Sequence, residues 1–163
     1  MPAPRLLFVC TGNATRSVIA AALARRDRPA WQIESAGTWA IPGLPSSRRT
    51  LAALEAVGVS APGHRSTTLA REHLSDVDLV VAFERDHVRF IRHMAPEAGD
   101  RTATLPRLLQ SDWPGVDLAA EDPRSWPEVD DPAGGEVDDF IRCARDIDVQ
   151  VGVLLPRLDA WTA

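Results

Sequence analysis

Cys10 and Arg16 stand six positions apart, with Thr11-Gly12-Asn13-Ala14-Thr15 between them and Ser17 directly after. A thiol, a guanidinium and a run of small residues at that spacing suit one kind of chemistry. A tight loop of small residues can turn successive backbone N–H groups toward one point, and a helix N-terminus beyond it adds a positive field. Together they make an anion cup. Thr11, Gly12, Asn13, Ala14, Thr15, Arg16 and Ser17 are the expected phosphate-binding residues. Gly12 accepts φ > 0 without cost, and Asn is the next most tolerant type. Arg16 brings a planar, two-pronged donor matched to a tetrahedral oxyanion. The same donors stabilise a thiolate at the base of the cup, where Cys10 stands. A thiolate in a phosphate-sized cup points to attack on phosphorus and a cysteinyl-phosphate.

Such a loop needs a strand to deliver the cysteine and a helix to receive the chain. Leu6-Leu7-Phe8-Val9 is an apolar run ending at Cys10, and Val18 to Arg26 is rich in alanine and leucine. The order is therefore strand, loop, helix. With Cys10, Gly12, Asn13, Arg16 and Ser17 in place, the chain resembles the low-molecular-weight protein tyrosine phosphatases. It departs from their loop pattern at Thr15 (a second cysteine in many members), Val18 (proline) and Ala21 (glutamate).

The resemblance implies further residues. The family's proton donor is the Asp of an Asp-Pro pair just before the last helix, and Asp131-Pro132 stands there. Asp130 is adjacent and Asp122-Pro123 is a second such pair, so both remain rivals. Counterparts of Asn13, Ser17, Ser35 and His64 form a supporting hydrogen-bond network in the family. Trp39, with Ile41 and Ala133, falls where the family lines its substrate slot; Ala133 replaces the usual aromatic, and the chain has no tyrosine. His73, His87 and His93 have no matching context and are expected in solvent. The implied activity is metal-independent hydrolysis of a phosphotyrosine protein or a small aryl phosphate, with inorganic phosphate as product and no cofactor. Two alternatives stay open: an arsenate reductase using an external thiol, and a phosphoprotein-binding module without turnover.

The remaining chain alternates strands and helices. Strands are expected at 31–35, 77–83 and 101–105. Helices are expected around Leu51, Leu54 and Val57, over 69–75, 84–94 and 106–110, and from Glu136 onward. Gly58 should stop the first of these, and Pro156 should end or kink the last. The last helix carries an apolar stripe from Val137 to Leu158. Residues 111–135 have no periodicity and read as a long functional or mobile loop, where Trp113 and Trp126 are expected to pack on the domain. This pattern gives an α/β fold, a three-layer sandwich with helices on both faces of a parallel sheet. The family resemblance adds four strands in the order 2-1-3-4.

A chain of 163 residues fits a single domain over 1–163. Its net charge of −5 argues against broad nucleic-acid binding. No apolar run reaches the length of a membrane span, and no His/Cys cluster has metal-ligand spacing, so neither membrane nor metal is expected. The two cysteines, Cys10 and Cys143, imply no disulfide framework. A nucleophilic thiol and the lack of a signal-peptide pattern favour the cytoplasm.

Overall fold

The computed structural model describes residues 3–162. Its centre is β1 (Arg5–Cys10), whose side chains alternate between two cores. Leu6, Phe8 and Cys10 join one buried cluster; Leu7 and Val9 join the other. A strand buried on both faces is what a continuously apolar run encodes in a parallel sheet. On one side of β1 lies β2 (Gln32–Gly37), with Cys10 opposite Gly37. On the other lie β3 (Leu79–Ala82) and then β4 (Thr102–Thr104). The sheet is four-stranded and parallel, in the order β2-β1-β3-β4, as the family resemblance implied.

One face carries α1 (Arg16–Asp27), α2 (Arg48–Ala56) and α5 (Val137–Thr162). Ala20, Ala21, Ala22 and Ala24 of α1 are buried, and their small side chains let that helix sit inside the layer rather than on it. The other face carries α3 (Arg71–Ser75) and α4 (Arg85–Met94), anchored by Leu74 and Ile91. Ser47 caps α2 by accepting from the Thr50 N–H, and Gly58 follows the helix with φ +73°.

Several expectations need correction. Leu51 is 52 % exposed and Val137 is 40 % exposed, so neither belongs to its helix's apolar stripe. The 106–110 segment forms only a 3-10 turn over Arg107–Leu109. Pro156 does not end the last helix, which runs on to Thr162. Val151, Leu154, Leu155 and Leu158 are buried on both sides of the proline, and their burial outweighs the one backbone bond it removes.

Residues 111–135 are more structured than their composition suggests. They hold 3-10 turns at Leu118–Ala120 and Pro123–Ser125, and Trp113 and Trp126 are buried, as expected. Arginines from the body tie the segment down. Arg107, 2 % exposed, pairs with both Asp112 and Glu121. Arg92 donates to the carbonyls of Leu118 and Glu121 and lies over the Trp126 ring. Arg85 donates to the Trp126 carbonyl, and the Val129 N–H bonds the Phe83 carbonyl at the end of β3.

Candidate active site

β1 ends at Cys10 and α1 begins at Arg16, so the loop between them lies beyond the carboxyl ends of the strands. In open parallel sheets that edge is where ligands bind, beside a reversal of strand order. Here β1 is flanked by β2 and β3, so the reversal falls at Cys10 itself.

Each part of the loop is held from a different direction. Asn13 is fully buried, and its φ of +49° makes it, rather than Gly12, the left-handed residue of the turn. Its amide is fixed in orientation, because Oδ1 accepts from the Thr67 backbone N–H at 2.9 Å. Nδ2 then donates to Ser17 Oγ and Ser35 Oγ, each at 2.9 Å. His64 Nε2 donates to the Asn13 carbonyl at 2.9 Å. The structure thus brings together all four residues expected to support the loop.

Ser17 Oγ also lies 3.0 Å from Cys10 Sγ. Since Ser17 accepts from Asn13, its own hydrogen is free to point at the sulfur. The relay Asn13–Ser17–Cys10 therefore ends in a donor aimed at the Cys10 sulfur.

Arg16 is 2 % exposed. Its Nη1 donates to the Val129 carbonyl at 2.8 Å, and Nη2 pairs with Glu84 at 2.7 Å and Asp131 at 3.5 Å. The Phe83 ring lies below the guanidinium, 6.0 Å away. A guanidinium has five N–H donors, so these contacts fix its plane and leave donors for an oxyanion. The Asp131 carboxylate thereby lies against the Arg16 guanidinium, while its Oδ1 accepts from the Ala133 N–H at 3.0 Å. Of its rivals, Asp122 is taken up as the cap of its own 3-10 turn and in a pair with Arg124. Asp130 places its carbonyl toward Cys143.

The expected slot residues are open to solvent. Trp39 is 81 % exposed and Ile41 is 67 % exposed. The Trp39 N–H bonds the Thr11 carbonyl at 2.9 Å, which seats the loop bearing both side chains beside the cup. Ala133 is exposed on the opposite, Asp131-bearing segment.

The sequence reading missed four residues here. His87 is 2 % exposed, not solvated: its Nε2 lies 2.8 Å from Thr11 Oγ1, and its Nδ1 accepts from the Glu84 N–H at 3.0 Å. Burial, with the Arg16 cation nearby, pushes the imidazole down to about 4. Glu84 is the main partner of Arg16. Thr50, fully buried, donates to the Ala14 carbonyl and meets Thr15 Oγ1 at 3.0 Å. Thr15 thus serves as a packing hydroxyl where many relatives have a cysteine. Gly37 lets the loop lie close: a Cβ there would sit 2.5 Å from the Thr11 carbonyl oxygen and 2.8 Å from the Asn13 nitrogen. The one local clue was the pattern Glu84-x-x-His87 directly after an apolar strand. Cys143 is buried on α5, and burial pushes its thiol up to about 11, so it is a weak nucleophile.

A thiol ends β1 at the switch point of a four-stranded parallel sheet, and a carboxylate lies on the buried arginine that opens the next helix, an arrangement suited to a phosphomonoester hydrolase built on a cysteine. The chain belongs to the low molecular weight phosphotyrosine protein phosphatase family, whose profile matches residues 5–162. It is 35 % identical to a protein-arginine-phosphatase of Geobacillus stearothermophilus, over 94 % of this chain and 93 % of that one. It is 33 % identical to the low molecular weight protein-tyrosine phosphatase A of Mycobacterium tuberculosis, over 94 % of this chain and 88 % of that one. Among solved structures, the Geobacillus stearothermophilus arginine phosphatase superposes with a TM-score of 0.81 at 31 % identity, covering 96 % of this chain and 94 % of that one. Among the described residues no helix is long and apolar enough to cross a membrane.

Proposed function

We propose that this chain dephosphorylates proteins through a cysteinyl-phosphate on Cys10, with Asp131 as acid and then base. The observation that carries this reading is the placement of the Asp131 carboxylate on Arg16, the far end of the loop that Cys10 begins. The Cys10 thiolate attacks phosphorus as the P–O bond to the leaving group breaks. The backbone N–H groups of residues 11–17 and the Arg16 guanidinium hold the equatorial oxygens, where charge builds up. Asp131 gives its proton to the departing oxygen. Ser17 donates to the sulfur, which makes Cys10 a better leaving group in the second step. Asp131, now ionised, takes a proton from the attacking water, the S–P bond breaks, and inorganic phosphate leaves. A working thiolate calls for a reducing compartment, and we place the protein in the cytoplasm.

Two phosphoresidues fit this chemistry. Phosphotyrosine is the family's substrate by name. Phosphoarginine is favoured by the relative named for that activity, and by Ala133, which offers no aromatic wall to a tyrosine ring. In that case the P–N bond breaks and Asp131 protonates the guanidine nitrogen. The relatives reported above are named as phosphatases, which favours neither arsenate reduction nor binding without turnover. Phosphate release from a phosphotyrosine peptide and a phosphoarginine peptide, each with wild type and Cys10→Ser, tests the reading. Turnover should vanish in Cys10→Ser while inorganic phosphate still binds. Near-normal hydrolysis by Cys10→Ser would refute the mechanism.

A further inference from the structure

The first turn of α4 touches the loop at both ends. Glu84 holds Arg16, the last cup residue before Ser17, and His87 holds Thr11, the first residue after the nucleophile. We propose that His87 is a positioning residue for phosphate capture: its Nε2–H holds the Thr11 hydroxyl and so fixes the first peptide groups of the Cys10–Ser17 loop around the bound oxyanion. This rests on the phosphatase reading of the same site and assigns a role to a residue outside the loop, the arginine and the acid.

The direction of the bond follows from its partners. His87 Nδ1 receives the backbone N–H of Glu84 at 3.0 Å and of Phe83 at 3.3 Å. Backbone N–H groups only donate, so Nδ1 is bare and Nε2 carries the hydrogen. Thr11 Oγ1 therefore accepts, and its own hydrogen remains to donate.

His87 Nε2 also lies 3.5 Å from Glu84 Oε2, the oxygen that Arg16 Nη2 meets at 2.7 Å. One short segment, residues 84–87, thus touches both Thr11 and Arg16, the two ends of the loop between Cys10 and Ser17. The rest of the loop has other anchors: the Asn13 network at its middle and Thr50 at Ala14 and Thr15. The Thr11 side chain meets the protein through His87. The Thr11 carbonyl is held separately by the Trp39 N–H at 2.9 Å, so releasing the side chain loosens the Thr11 peptide groups on the α4 side alone, without touching the nucleophile, the arginine or the acid. Preorganised donors work because their orientation is fixed before the oxyanion arrives.

Two amides separate the halves of the imidazole. Asn places an oxygen near the Nδ1 position and nothing at Nε2; Gln places an N–H donor near Nε2. The probe is inorganic phosphate, read by its protection of Cys10 from iodoacetamide at fixed pH, with peptide located by mass spectrometry. The second readout is kcat/KM on the better phosphopeptide. His87→Asn should weaken phosphate protection and kcat/KM in parallel, by roughly tenfold, the scale of one hydrogen bond lost from a buried pair. His87→Gln should stay within roughly threefold of wild type, since the donor is restored. Thr11→Val should match His87→Asn, and the double variant should be no worse than either. Wild-type phosphate binding by His87→Asn, or losses that multiply in the double variant, would overturn the proposal. Should His87→Asn not fold, Thr11→Ser against Thr11→Val decides: equal phosphate protection in the two overturns it. A wild type that binds phosphate but hydrolyses neither phosphopeptide would sink the phosphatase reading and leave this one standing on phosphate protection.

Discussion

The buried imidazole of His87 makes the fold acid-sensitive in a calculable way. In the unfolded chain this group takes up its proton near pH 6.5, and in the folded protein near 4. Between those values the unfolded state holds more protons, so stability falls as pH is lowered. The contribution is complete above pH 6.5, about 2 kcal/mol smaller at pH 5, and about 3 kcal/mol smaller at pH 4. The physical cause is burial of the ring, with the Arg16 cation beside it; a proton on Nδ1 would also confront the Phe83 and Glu84 N–H donors. The charged groups facing the ring are Arg16 from α1, Glu84 and Asp86 from the start of its own helix, and Asp131 from the acid-bearing segment. These remain in His87→Gln, so the comparison isolates the imidazole. Urea unfolding at pH 7.5 and pH 5 should show wild type losing about 2 kcal/mol more than His87→Gln over that interval. Parallel losses in the two proteins would refute the reasoning, because they would mean the ring takes up its proton at its ordinary pH.

Asp131→Asn should slow hydrolysis of poor leaving groups by roughly 10²–10⁴, the range for loss of a general acid, and do far less for an acidic phenol. Asp130→Asn is the control, and a larger loss there would reassign the acid. Arg16→Lys should be nearly as damaging as Arg16→Ala, at roughly 10²–10³ in kcat, because an ammonium keeps the charge but not the fork held by Val129 and Glu84; steady-state kinetics finding Lys within a few-fold of Arg would demote the geometry. Gly37→Ala should cost about 1–3 kcal/mol in denaturant unfolding and lower activity too, since backbone atoms must give way to the new Cβ; a wild-type midpoint would show that the approach is looser than described.

The sheet and the cup were legible because their signals are local. β1 is apolar from Leu6 to Cys10, and the proposed cup is the contiguous stretch between it and α1. Asp131 needed the family resemblance, since an Asp-Pro pair is an ordinary turn and Asp122-Pro123 is another. His87 was hard to read, because its partner Thr11 is 76 positions away and the Glu84-x-x-His87 spacing alone names no partner. Glu84 reads as a surface charge until β3 and the helix after it are folded against Arg16. Gly37 likewise looks like the end of a strand; what demands it is the loop crossing in front. The order within the segment 111–135 was illegible for the opposite reason. Its composition is that of a free loop, but its order comes from Arg85, Arg92 and Arg107 outside or at the edge of it.

Those arginine ties give the acid-bearing segment the mechanics of a bracket rather than of a flap. Asp131, the proposed proton donor, follows directly on a stretch clamped at Trp126 and Val129, so it is set in place by the same contacts that fold the domain. A segment braced this way is not built to swing between substrate entry and product escape. The enzyme's turnover should answer to the chemistry of the phosphoryl group and be indifferent to the viscosity of the medium.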